Sequence, residues 1–202
     1  MRFFIQHQKS KAPQGFFALI LLGMLITGCE FLMRDSEAPR RPSEDHFIPP
    51  TSPGIVFTNL ENAFSYRDHE TYGRCFSDST LSGYPYRFQP AVVKAVVFPA
   101  FWDMNSEKRY FQELLAACPR DSLLLLNISN DDFPESGDGD SIVYQINYQI
   151  LAQHNRQGVD NEFQGRSYIK LVRDNRNYWV IYFWQDIPVS SDASWSDLKA
   201  YF

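Results

Sequence analysis

The sequence predicts one α+β domain, with helices packed on a single strongly curved antiparallel sheet, behind an N-terminal leader. Three observations carry that expectation. Apolar residues recur at helical spacing between about residues 53 and 118. From about residue 122 onward they alternate with polar ones, the period of a half-buried strand. Helices followed by consecutive strands, with no internal repeat, argue for α+β rather than for a parallel α/β sheet.

Ser52-Pro53 starts the first helix, and Val56, Phe57, Leu60, Ala63 and Phe64 form its apolar stripe as far as about Tyr66. Asp68 caps a short second helix with Tyr72, Cys75 and Phe76 inside. Tyr84, Tyr86 and Phe88 alternate as a strand does after Gly83, and Pro90–Ala100 reads as a short helix bounded by Pro99. Ser106 caps a third helix presenting Tyr110, Phe111, Leu114, Leu115 and Cys118, and Pro119 stops it. Ser122–Ser129 reads as a buried strand. Ile142–Gln153 is the clearest one, with Ile142, Tyr144, Ile146, Tyr148 and Ile150 on one side and Gln145, Asn147 and Gln149 on the other. Phe163–Arg173 and Tyr178–Gln185 follow, joined by the turn at 174–177. Ser194 and Asp197 form a capping box for a last helical segment, Trp195–Phe202.

Residues 1–28 have the parts of an export signal. Arg2, Lys9 and Lys11 make a positive start, and Phe16–Ile26 is apolar but short of the ~20 residues that span a bilayer. Ile26-Thr27-Gly28-Cys29 resembles the lipobox of bacterial lipoproteins, which implies diacylation of Cys29 and cleavage before it. The bilayer is then a partner through the acylated Cys29, each buried methylene contributing about 0.8 kcal/mol. In Gram-negative lipoproteins Glu30, rather than Asp, after the cysteine implies the outer membrane, facing the periplasm. Residues 29–51 hold Pro39, Pro42, Pro49 and Pro50 among charges of both signs, the composition of a tether, and 52–202 remain as the domain.

The net charge of −5 includes the three leader cations; without them 16 basic residues face 24 acidic ones, a balance of −8. That excludes nucleic acid as a main partner, because such partners need a basic surface. Cys75 and Cys118 remain once Cys29 is lipidated. In an oxidising periplasm they can pair as a disulfide, and on apolar helix faces they can equally stay buried thiols. His7, His46, His69 and His154 show no metal-ligand spacing, and no cofactor motif is present. The carboxylates Asp131, Asp132, Glu135, Asp138 and Asp140 flank Gly137 and Gly139. They suit either a Ca²⁺ loop or a solvated hairpin, without the register of an EF-hand.

The order of elements resembles the nuclear transport factor 2-like superfamily. Ala63-Phe64-Ser65-Tyr66-Arg67-Asp68 with Tyr72, Cys75-Phe76 and Asp78 is similar to its first helical hairpin. Tyr178-Trp179-Val180-Ile181 and Trp184-Gln185-Asp186 are similar to its last strand, and residues 194–199 to the tail of lipoproteins that carry this domain. The resemblance implies a cone-shaped cavity between the concave sheet face and the first and third helices. Tyr86, Trp102, Tyr110, Tyr148, Arg166, Tyr168, Trp184 and Asp186 are the candidates to line it. Asp186 is the best acidic candidate, with a strand-end carboxylate bonding a backbone amide as the plainer reading. Arg166 and Tyr168 either point inward or, by alternation with Ile169 and Leu171, face solvent. The expected function is binding or protein interaction in the cell envelope, the partner being a small apolar ligand, an envelope protein or a second copy of the chain. The alternatives are an isomerase or dehydratase using the cone, and a dimerising envelope-structural protein.

Overall fold

The computed structural model describes residues 45–94, 97–129, 136–189 and 193–202. The leader, Cys29 and the first part of the expected tether therefore lie outside the described residues, as do Asp131, Asp132 and Glu135. Among the described residues no helix is long and apolar enough to cross a membrane.

Helix α1 (Pro53–Tyr66) begins on Pro53, whose fixed φ suits a first turn, and buries Val56, Phe57, Leu60, Ala63 and Phe64. It ends on Arg67 in the left-handed region, φ 56°. That bend aims the Arg67 guanidinium at the carbonyls of Cys118, Pro119 and Ser122, tying the helix end to a segment more than fifty residues away in the chain. Helix α2 (His69–Arg74) is capped by Asp68, which accepts from the amides of Glu70 and Thr71. A one-turn helix α3 (Ser79–Ser82), capped by Asp78 and closed by Gly83 at φ 77°, has too short an apolar pattern to stand out in the sequence.

Strand β1 (Arg87–Gln89) is followed by a 3-10 turn, Val92–Lys94, where a short helix was expected. Pro90, Pro99 and the valines between them disfavour a longer helix. Helix α4 (Met104–Ala117) starts three residues before the sequence reading placed it. Its cap is Asp103, not Ser106: the Asp103 carboxylate accepts from both the amide and the hydroxyl of Ser106 at 2.9 Å.

The sheet comprises β2 (Leu124–Ser129), β3 (Ser136–Asp138), β4 (Ser141–Ala152), β5 (Glu162–Arg173) and β6 (Trp179–Pro188), with β1 on its edge. The order is β1-β6-β5-β4-β2, and β3 pairs with β4. All neighbours are antiparallel except β1 and β6, which run parallel. A register shift at Lys170/Leu171 bends β5 against β6. The turn between those strands is held by Asp174, whose Oδ1 accepts from the amides of Arg176 and Tyr178, with Asn177 at φ 62°.

Residues 45–51, tether-like in composition, lie on the domain. Asn59 is fully buried because its side chain accepts from the Ile48 amide and donates to the Ile48 carbonyl, and Trp179 donates its amide to Pro50. Arg74 covers the Phe47 ring at 3.5 Å. Cys75 and Cys118 are free buried thiols and form no disulfide. Burial pushes both thiols up from the usual cysteine range, so neither is an activated nucleophile.

Candidate functional site

Helices α1, α2 and α4 cover the inward face of the sheet, and the space they enclose is filled by helix α5 (Trp195–Tyr201). Its Trp195, Leu198 and Lys199 are buried to 0%, 0% and 1% exposure. Trp195 meets Trp184 edge-on at 4.4 Å between ring centroids, and Tyr148 and Phe64 pack on it too.

Two polar clusters hold this helix. The first centres on Glu107, from the apolar face of α4. It accepts from Tyr72 at 2.5 Å, Tyr86 at 3.0 Å and the Trp102 indole at 2.6 Å. The Lys199 ammonium donates to both of its oxygens, at 2.6 and 2.7 Å. A buried carboxylate and a buried ammonium are each costly alone; here they offset one another, three further donors satisfy Glu107, and aromatic rings surround the rest of the ammonium. Burial, and then the charge of Glu107, hold the Tyr72, Tyr86 and Tyr110 hydroxyls well above the usual tyrosine value, so they stay protonated. Burial pulls Lys199 below the ordinary lysine value, against the opposing attraction of Glu107.

The second cluster centres on Asp186, 2% exposed. One of its oxygens accepts from Tyr148 at 2.6 Å and the other from the Ser196 amide at 2.8 Å. Tyr148 in turn accepts from the Trp195 amide at 2.8 Å. Asp186 thus binds the Ser196 amide directly and the Trp195 amide through Tyr148, in the first turn of α5, where a helix leaves its amides unpaired. Burial and the neighbouring Asp186 charge keep the Tyr148 hydroxyl protonated. Gly165 on β5 makes room for this: a Cβ there would stand 2.5 Å from the Tyr148 hydroxyl. Outside the clusters, Ala91 donates its amide to Ser196, and Lys94 pairs with Asp197 at 2.5 Å.

Of the residues the sequence nominated, Tyr86, Trp102, Tyr110, Tyr148, Trp184 and Asp186 come together around α5. Arg166 and Tyr168 do not. On β5 the inward positions are Phe163, Gly165, Ser167, Ile169 and Leu171, so Arg166 and Tyr168 fall on the opposite face by strand alternation. Glu107 and Lys199 were missed. Their signal is present in the sequence: Glu107 shares a stripe with Tyr110, Phe111 and Leu114, and Lys199 with Trp195, Leu198 and Phe202. A charge on an apolar stripe is a residue looking for a partner, and here each is the other's.

The outer face of the same sheet carries a trough of about 600 Å³ lined by Leu125, Asn127, Gln149, Leu151, Glu162 and Gln164, among others. A second hollow of about 280 Å³ shares Asn127, Gln149 and Gln164 and adds Ser129, Asn147 and Val189. Asn127 lies opposite Gln149, and Gln149 opposite Gln164, so an amide row crosses three strands. Among the described residues, no group of His, Cys, Asp or Glu is arranged to hold a metal ion.

No protein-family model matches the sequence, and no curated protein matches it either. Solved structures do. A conserved protein from Planctomyces limnophilus is similar at 9% identity and TM-score 0.52, over 67% of this chain and 94% of that one. A protein provisionally named an aromatic ring hydroxylase, from Novosphingobium aromaticivorans, is similar at 10% identity and TM-score 0.51, over 72% and 92%. A nuclear transport factor 2-like protein of unknown function from Shewanella oneidensis aligns at 10% identity and TM-score 0.48, over 65% and 92%. At such identities the likeness concerns fold alone, and it supports the α+β arrangement of helices packed on one mainly antiparallel sheet.

Proposed function

We propose that the chain is a lipid-anchored protein of the bacterial envelope whose domain serves binding and protein interaction rather than turnover. The observation that supports this reading is the filled cone. The carboxylates that would move a proton in an isomerase or dehydratase, Glu107 and Asp186, are bonded to the chain's own side chains and to α5. General acid–base catalysis needs such a group within reach of a substrate proton. The surface left to a partner is the outer sheet face with its amide row. Acylation of Cys29, with Glu30 directing the chain to the outer membrane, would hold that face near other envelope components.

The test uses the full chain in a Gram-negative host fed an alkyne fatty acid. A photo-crosslinking residue stands in place of Asn127 or, as control, of exposed Tyr84. The wild-type leader is expected to give a labelled, membrane-bound protein with a discrete adduct at position 127 alone. Cys29→Ser is expected to lose label, membrane association and adduct together. An unlabelled wild type, or no adduct at position 127 in the labelled protein, overturns the reading.

A further inference from the structure

The surroundings of Lys199 form a cage of recognisable chemistry. Its ammonium sits 3.8 Å from the centroid of Phe88, 5.1 Å from Trp184, 5.4 Å from Tyr110, 5.7 Å from Trp102 and 5.8 Å from Trp195. A cation within about 6 Å of a ring face is attracted by the ring's quadrupole. The rings are completed by one carboxylate that takes two of the three ammonium hydrogens. Four of the five rings, and the carboxylate, come from β1, α4, β6 and the segment before α4; only Trp195 belongs to α5. Glu107 keeps its bonds from Tyr72, Tyr86 and Trp102 without any help from α5.

We infer that the interior of the cone is a receptor for a primary ammonium group on an alkyl stem, with Lys199 as its tethered occupant. The donor pattern sets the class. A quaternary ammonium has no N–H for Glu107, whereas a primary ammonium can donate to both of its oxygens as Lys199 does. Tethering explains why the site is full, since a lysine on the same chain competes at a high effective concentration against any free amine. While Lys199 holds the site an external ammonium is shut out, and the site is open to one only where the Lys199 amine is missing. The inference goes beyond the interaction role proposed above and does not depend on it.

The test is chemical complementation of the full-length Lys199→Ala chain, which lacks the atoms of n-propylammonium and nothing else. At constant ionic strength, n-propylammonium chloride is expected to raise the thermal midpoint of Lys199→Ala by several degrees, saturably, and to leave the wild type unchanged. n-Propanol and tetramethylammonium are expected to do neither, and Glu107→Gln added to Lys199→Ala should abolish the rise. If Lys199→Ala does not fold alone, the readout is recovery of its near-ultraviolet circular dichroism on adding the amine, with the same controls. No shift or recovery with propylammonium, or an equal one with propanol, overturns the inference.

Discussion

The two faces of strands β4, β5 and β6 are made from alternate residues of the same segments, and they differ in almost every physical respect. Inward, Ile146, Tyr148, Ile150, Phe163, Ile169 and Trp184 are buried among helices. Outward, Asn147, Gln149, Gln164, Arg166 and Tyr168 form a polar surface with shallow hollows. The inner face nonetheless carries the costlier polar chemistry, a carboxylate–ammonium pair and a second carboxylate on a tyrosine hydroxyl and a backbone amide. Polar groups on the outside can exchange protein for water, whereas those inside must find every partner within the chain. Substitutions should therefore be severe within and mild without.

The sharpest break is Glu107→Ala, which leaves the Lys199 ammonium buried and unpaired. A loss of about 3–5 kcal/mol in unfolding free energy is expected by denaturant titration. Glu107→Gln with Lys199→Met removes both charges, and should recover most of what either single change loses. A double-mutant cycle checks the coupling, and simple additivity would mean that the pair does not act as one. Gly165→Ala should cost about 1–3 kcal/mol, because its new methyl displaces Tyr148 from Asp186 and from the first turn of α5. Tryptophan fluorescence would report the disturbance at Trp195, and an unchanged spectrum would contradict the packing described.

Smaller effects come from the helix caps. Burial raises the Asp68 carboxyl, but hydrogen bonds from Thr71 and Glu70 and the neighbouring His69 outweigh it, leaving its pKa below the usual value. Asp103 is lowered chiefly by the Ser106 amide. A carboxyl whose pKa is lower folded than unfolded contributes stability above its unfolded value of about 3.8, and loses it as pH falls through the folded value. Asp103→Ala should cost about 1 kcal/mol at neutral pH and less as the pH falls below 4. Least of all, Asn127→Ala on the outer face should move stability by no more than about 0.5 kcal/mol. Circular dichroism melts across pH would measure both, and a large loss for Asn127→Ala would erase the contrast between the faces.

The interior was partly legible before the fold was known. The period of 2 across Ile142–Ile150 assigned Tyr148 to the core side, and the aromatic strand through Trp184 pointed to Asp186. Strand alternation alone left Arg166 and Tyr168 open, because a period of 2 says which residues share a face but not which face the helices cover. The neighbouring β5 positions settle it: Ser167 and Gly165 are small inside, where Trp184 donates to Ser167 and Tyr148 crowds Gly165. Glu107 and Lys199 were legible only as anomalies on two apolar stripes, and nothing in the chain said that these stripes meet across a separation of 92 residues.

By itself the sequence determined the local elements: where helices begin on proline and capping carboxylates, where the period turns from helical to alternating, and the capping box before Trp195. Those depend on neighbours within a turn or a strand step, so they are written in adjacent residues. Only the tertiary structure decided that α5 enters the cone, that Glu107 and Lys199 neutralise one another there, and that Cys75 and Cys118 stay apart as thiols. Each of these depends on which surfaces exclude water together, and that is a property of the whole chain once packed.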